Sequence, residues 1–274
     1  MAIDRRSEGQ TVLRQTQLAE LYLLEVLDEI CQKHSIPYFL VDGTLLGALR
    51  HNGFIPWDDD IDVGMLAPDY LRFKKIVRAS LPPGIYFQDE KDMHNTCPCG
   101  KLRDLKSFFF NGVGSAGRWD RKYYGVPIDV FPFVKAPNLP YKWTYLLLRF
   151  RMGPYGRWHR LLDRQRRSAV LRLLDTLQAM GWKTVHGVAI VAWHFMCLIR
   201  PSKIWHVMPE SGFTSRCAIE TLLPLKKHVF EGRDYPVPND SETYLTTVFG
   251  NWRELPPVDK RPKHSAFVFP IIES

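Results

Sequence analysis

The sequence predicts an α+β fold, a mixed sheet flanked by helices with a basic helical subdomain inserted late in the chain. Three observations carry this. Helix-period and strand-period segments intermix between Thr11 and Phe133. Two separate apolar runs, Asp60 to Met65 and Val126 to Phe133, each hold acids among core-type residues. After Pro140 the chain turns helix-like and rich in arginine and tryptophan as far as Ile199. The expected organisation is a core over 1–140, a basic helical insertion over 141–215, and a C-terminal segment over 216–274 that completes the core.

The elements follow in order. Leu18, Leu21, Tyr22, Leu24, Leu27 and Ile30 recur at helical spacing, and Ser35-Ile36-Pro37 ends that amphipathic helix. Tyr38 to Val41 reads as a short buried strand, and Asp42-Gly43-Thr44 as a turn whose Thr44 caps a helix from Leu45 to His51. From Asp60 to Met65 polar or small residues alternate with apolar ones, a half-buried strand. A helix over 69–80 stops at Pro82-Pro83-Gly84. Short strand-like runs follow at Ile85 to Phe87, Lys101 to Arg103 and Ser107 to Phe110, then a glycine-rich basic loop from Gly112 to Lys122. Val126 to Phe133 is a second apolar strand with one central acid, Asp129. The tail mixes short strands, a turn at Glu231-Gly232-Arg233 and a helix over 240–249.

Composition narrows the function. The 274 residues carry a net charge of +8 and a pI near 9.2, so the sign favours acidic or phosphorylated partners. No recognition motif accompanies the charge, which argues against nucleic acid. Five cysteines, Cys31, Cys97, Cys99, Cys197 and Cys217, form a sparse, odd set that points to a reducing compartment. His94 and the Cys97-Pro98-Cys99 spacing lack the ligand pattern of a zinc site. The N-terminus has no signal-peptide core, and the most apolar window, Val185 to Ile199, is short for a spanning helix. The expected location is the cytoplasm, with peripheral contact to a membrane allowed. Trp143, Trp158, Trp182 and Trp193 interleave with arginines, as in segments that dock on anionic bilayers; a plain helical subdomain with a solvated basic face is the competing reading.

The chemistry concentrates at Asp58, Asp59, Asp60 and Asp62, bracketed by Ile55, Trp57, Ile61, Val63 and Met65. Residues two apart in a strand share a face, so Asp58, Asp60 and Asp62 are expected to point one way and Ile61 and Val63 the other, into the core; Asp59 is expected to face away from Asp60, with a solvated turn as the competing reading. Adjacent carboxylates repel unless a cation sits between them, and oxygen-only ligands favour Mg²⁺ or Mn²⁺. Gly43 and Thr44 precede the pair by 16 to 18 positions and could face phosphate, because glycine admits close approach and helix-start N–H groups bind anions. Asp129 supplies a third acid from another strand.

This pattern resembles the nucleotidyltransferase superfamily. The run from Asp42 through Gly47, Arg50-His51-Asn52-Gly53-Phe54-Ile55-Pro56-Trp57 and on to Val63 is similar to the LicD family, which includes fukutin-related proteins. Lys101-Leu102-Arg103-Asp104, Pro127 to Pro132, and a tail from Val229-Phe230-Glu231-Gly232 to His264 agree with it. The resemblance spans residues 17–134 and 219–265, and leaves 141–215 unmatched. It implies a nucleotidyltransferase-like fold and transfer of a phospho-alcohol, phosphocholine or a polyol phosphate, from a CDP-alcohol donor to a glycan acceptor with release of CMP. It implies Asp60, Asp62 and Asp129 as metal ligands, Asp129 also as a base, Gly43 and Thr44 facing the donor phosphates, and Arg50, Lys101 and Arg103 neutralising pyrophosphate. His51 and His264 sit at family-like positions, with packing the competing role.

Two alternatives stand beside that reading. One is nucleotidyl transfer from an NTP with loss of pyrophosphate. The other is a non-catalytic scaffold at a membrane surface. The transferred alcohol stays open: Trp119, Tyr123 and Tyr124 could cage a choline ammonium, whereas ribitol would call for hydroxyl partners.

Overall fold

The computed structural model describes residues 2–89, 92, 99–110, 121–140, 143–144, 169–207, 215–261 and 267–270. Expectations for the Gly112 to Lys122 loop, for His94, Cys97, Trp119, Trp158 and His264, and for the arginines at 149–167 therefore fall almost wholly outside the described residues.

Helix α1 (Val12–Lys33) starts at Thr11, whose hydroxyl accepts from the Arg14 N–H at 3.1 Å. Its leucines enter the main core, and Ser35, at φ 50°, ends it. Strand β1 (Phe39–Leu40) leads into α2 (Asp42–His51), then β2 (Asp62–Leu66) and α3 (Ala67–Ser80). Strands β3 (Ile85–Gln88), β4 (Gly100–Asp104), β5 (Phe108–Phe110) and β6 (Val126–Lys135) follow. Helix α4 (Ala169–Ile199) comes next, then β7 (Ile204–Val207), β8 (Ser215–Ala218) and the single turn α5 (Ile219–Leu222). The hairpin β9 (Lys226–Phe230) and β10 (Arg233–Val237), helix α6 (Ser241–Phe249) and β11 (Phe267–Phe269) complete the chain.

The main sheet is mixed and runs β1-β2-β6-β4-β3, with β7 and β8 continuing from the end of β6. Among the described strands of this sheet only β2 and β6 are parallel; the other pairs are antiparallel. This is the expected α+β class. The sheet also draws β7 from inside the stretch read as an insertion, because Val134 and Lys135 pair with His206 and Trp205. Phe230, Tyr235, Tyr244 and Leu245 of the C-terminal segment share one core with Leu24, Val63 and Phe131.

Two local expectations are corrected. The aspartate strand begins at Asp62, not Asp60. Its antiparallel neighbour β1 is only two residues long, and after the Val41 N–H reaches Asp62 O at 3.2 Å the chain turns into α2. Residues 58–61 therefore have no strand beside them on that side. The Asp42-Gly43-Thr44 turn is instead the first turn of α2. Asp42 adopts φ 46°, and the Leu45 N–H closes on Val41 O at 3.0 Å. Thr44 thus lies inside the helix rather than capping it.

Cys99 is disulfide-bonded, so not every thiol matches the reducing expectation. No helix among the described residues is long and apolar enough to cross a membrane.

Gly64 shows how tightly β2 is held. A Cβ there would lie 2.6 Å from Phe133 Cε2, 2.8 Å from Phe39 Cε2 and 2.9 Å from Val41 Cγ1. Gly64→Ala is expected to cost about 1–3 kcal/mol through overpacking, read as a lower urea midpoint with an unchanged slope.

Candidate functional site

The site is built by strand register. Asp62 on β2 pairs with Asp129 on the parallel β6, and Asp129 pairs with Lys101 on β4. Directly paired residues project from the same face of a sheet, so an acid, an acid and a lysine form one row across three strands, each about 4.8 Å from the next. The Lys101 ammonium donates to both Asp129 oxygens, at 2.8 and 2.6 Å. The Asp129 N–H closes on Ile61 O at 2.8 Å and fixes the end of the row.

The N-terminus of α2 meets this row. The Thr44 hydroxyl accepts from the Asp62 N–H at 2.7 Å. A Cβ on Gly43 would lie 3.1 Å from Asp58 Oδ2 and 3.9 Å from Asp60 Oδ1, so those carboxylates rest against the positive end of the helix. Asp42, beside them, accepts from the Tyr244 hydroxyl of α6 at 3.0 Å. Helix α1 closes the other side, where Gln17 donates to the Asp58 carbonyl at 2.9 Å.

Negative charge dominates. Asp58 and Asp59 are buried, while Asp60, Asp62 and Asp129 are half-buried. Asp59 is buried, which rules out the solvated-turn reading for it. Loss of water pushes the Asp58 carboxyl up to about 6, although a hydrogen bond with Asp60 works the other way. Desolvation likewise lifts Asp42 to about 6 against the Tyr244 bond. Asp62 rises well above the ordinary carboxylate range, first through desolvation and then through the charges of Asp60, Asp42, Asp129 and Asp58.

Sequence reasoning missed Glu20. It is fully buried on α1, and neither carboxyl oxygen finds a hydrogen-bond partner. Desolvation, then the charges of Asp60, Asp59, Asp58 and Asp129, push it far above its ordinary value. The available signal was Thr16, Gln17 and Glu20, a polar stripe at three- and four-residue steps inside an otherwise apolar helix. Asp42 carried no such signal, because its tie to Tyr244 spans 202 positions.

The other candidates are placed as follows. Arg103 is buried, donating to Gln88 Oε1 at 2.6 Å and Gly125 O at 2.9 Å. Arg50 sits at the far end of α2 from Gly43, donating to His51 Nε2 and Trp252 O, both at 3.0 Å. Burial and then the Arg50 charge lower the His51 pKa. Tyr123 packs edge-on against Tyr86, while Tyr124 stacks on Phe108, so the two rings have separate neighbours.

A divalent cation suits this donor set by chemistry. Every donor is a hard oxygen, the acids outnumber Lys101, and Glu20 is an orphaned carboxyl facing them. Among the described residues no three ligating groups converge on one point, so the carboxylates form a shelf rather than a finished cage.

Comparison with known proteins bears on the same residues. Residues 35–151 match a family described as LicD/FKTN/FKRP, nucleotidyltransferase domain. The chain is 29% identical over 277 aligned positions to the lipopolysaccharide cholinephosphotransferase LicD of Haemophilus influenzae, covering 92% of this chain and 96% of that protein. It is 35% identical over 74 residues to an uncharacterised protein of Rickettsia typhi, 27% of this chain and 24% of that one. An uncharacterised Rickettsia prowazekii protein is 42% identical over 55 residues, 20% of this chain and 21% of its own.

The charge crowding sets a pH dependence. Folded Asp58 keeps its proton to higher pH than the unfolded chain, so its penalty is absent below pH 3.8 and fully developed above about pH 6. It amounts to roughly 3 kcal/mol at neutral pH. Without divalent ions, Asp58→Asn is expected to raise the unfolding free energy by about 1–3 kcal/mol at neutral pH and by much less near pH 4, as measured by urea denaturation at the two pH values.

Proposed function

We propose that this chain, whose residues 35–151 match the LicD/FKTN/FKRP family, transfers phosphocholine, or a related polyol phosphate, from a CDP-alcohol to a hydroxyl of lipopolysaccharide or a lipid-linked glycan precursor, releasing CMP. The single observation that carries the reading is the row Asp62–Asp129–Lys101, set against the start of α2, all of it inside the family-matched residues. The similarity along nearly the whole chain to a lipopolysaccharide cholinephosphotransferase supports the phosphocholine class. In this reading the sheet around β2 and β6 is the nucleotidyltransferase-like core.

Asp60, Asp62 and Asp129 would hold Mg²⁺ or Mn²⁺, which when bound supplies positive charge to phosphate oxygens. The chain's own groups do the rest. With no side chain at Gly43, donor phosphate could approach the start of α2 beside Asp58 and Asp60. Lys101 orients Asp129 by donating to both of its oxygens. Asp129 can take the proton of the acceptor hydroxyl as that oxygen bonds to the β-phosphorus. The bond from the β-phosphorus to the bridging oxygen breaks, and CMP departs with that oxygen. The ammonium of Lys101 offsets charge that builds on the transferring phosphoryl group.

A panel of CDP-alcohols with Mn²⁺ tests the reading. CMP is the expected product. Pyrophosphate release from an NTP, with none from any CDP-alcohol, would replace the reading with nucleotidyl transfer. Asp60→Ala and Asp62→Ala are each expected to slow CMP release by about 100-fold or more while leaving the far-UV spectrum unchanged. Full turnover in either variant removes that residue from the site.

A further inference from the structure

Helix α4 has two faces of opposite character. One anchors it to the sheet. Ala189 and Trp193 are buried on this side, and Trp193 packs with Val134 and Ala136 at the end of β6, with Cys197 against the same cluster. The Trp193 indole N–H donates to Lys135 O at 2.9 Å. These residues are four apart, one stripe of a helix. The opposite stripe, Val188, Val191, Phe195 and Leu198, recurs at three- and four-residue steps and is 64%, 69%, 58% and 78% exposed. Val185 and Ile199 flank it, also exposed. Four large apolar side chains in a line, on a helix already pinned by its other side, form a face with no partner among the described residues.

The charge distribution says what covers it. Residues 141–200 contain eleven Lys and Arg against two Asp and Glu, a net +9. The rest of the chain holds twenty-six against twenty-seven, a net −1. The whole positive excess thus belongs to the segment that ends in this helix, and no Asp or Glu occurs from Thr176 to Arg200. Lys135 and Arg200, where the anchored side meets the sheet, are exposed, as is Trp143 at 52%. A second copy of the chain would bring two such +9 segments together, and they repel. An anionic lipid surface attracts the same charge and accepts the apolar stripe.

We propose that the Val188–Val191–Phe195–Leu198 face of α4 lies in the interfacial layer of an anionic phospholipid bilayer, whose headgroups attract the basic segment that this helix ends. The helix rests on the surface rather than crossing it, in keeping with its hydropathy. Strand β6 links this face to chemistry. Six residues separate Asp129 from Lys135, about 20 Å of strand, so the helix sets the height of the carboxylate shelf above the lipid. The docking face stands without any assumption about the donor.

Sedimentation of the full chain with phosphatidylglycerol-containing vesicles, compared with pure phosphatidylcholine vesicles, tests it. The expected result is binding to the anionic vesicles, weakened by high salt, and little binding to neutral ones. The triple variant Val191→Asp/Phe195→Asp/Leu198→Asp is expected to bind at least tenfold more weakly with an unchanged thermal midpoint, since it alters only exposed positions. Should that variant unfold, Val191→Ser/Leu198→Ser serves in its place, with a smaller loss of binding expected. Undiminished binding by a folded variant overturns the proposal. So does a wild-type chain that ignores anionic vesicles, or one that forms a dimer which these substitutions break, which would make a second copy the occupant.

Discussion

The constraint on which the rest of this structure depends is the repulsion among carboxylates brought to one end of a parallel strand pair. Asp62 and Asp129 pair directly, and Asp58, Asp60 and Asp42 crowd the adjoining start of α2. Each would be more stable in water. They are held by backbone ties that do not depend on their charge: Thr44 on the Asp62 N–H, Gln17 on the Asp58 carbonyl, and the ladder bond from Asp129 to Ile61. Among the described residues, Lys101 and the start of α2 offset part of the charge. Under the proposed function, a multivalent cation would relieve this repulsion.

The scaffold explains why that strain is tolerated. Beneath the shelf, Val63, Met65, Ile128 and Val130 are fully buried, and Gly64 lets Phe39, Phe133 and Val41 close on β2 without a side chain between them. The C-terminal segment contributes to the same core and sends Tyr244 back to Asp42. The acids are therefore fixed by packing on both sides of the chain, and they can stay close together without a local rearrangement that would separate them.

The basic region stands apart in its physics. It contributes β7 to the sheet edge and seats Trp193 at the end of β6, so it is joined to the core by specific contacts. It also concentrates the cationic charge that the acidic site lacks. In the proposed reading, a basic segment for the lipid surface and a carboxylate site for the donor would divide the two tasks.

By itself the sequence determined the helix from Val12, the acids on β2 and β6, and the resemblance that the family match over 35–151 repeats, because period, turn residues and a long ordered motif are local properties of the chain. It also located the basic stretch and the interleaved tryptophans. Tertiary structure decided what depends on partners remote in sequence. It started the aspartate strand at Asp62, because β1 is short. It placed Thr44 inside a helix and buried Asp59. It tied Arg103 to Gln88 and Gly125, and it drew Glu20 and Asp42 toward the acids. Alternation along one strand cannot report where its neighbour ends. A polar residue inside an apolar helix shows its purpose only when another element's charges come to face it.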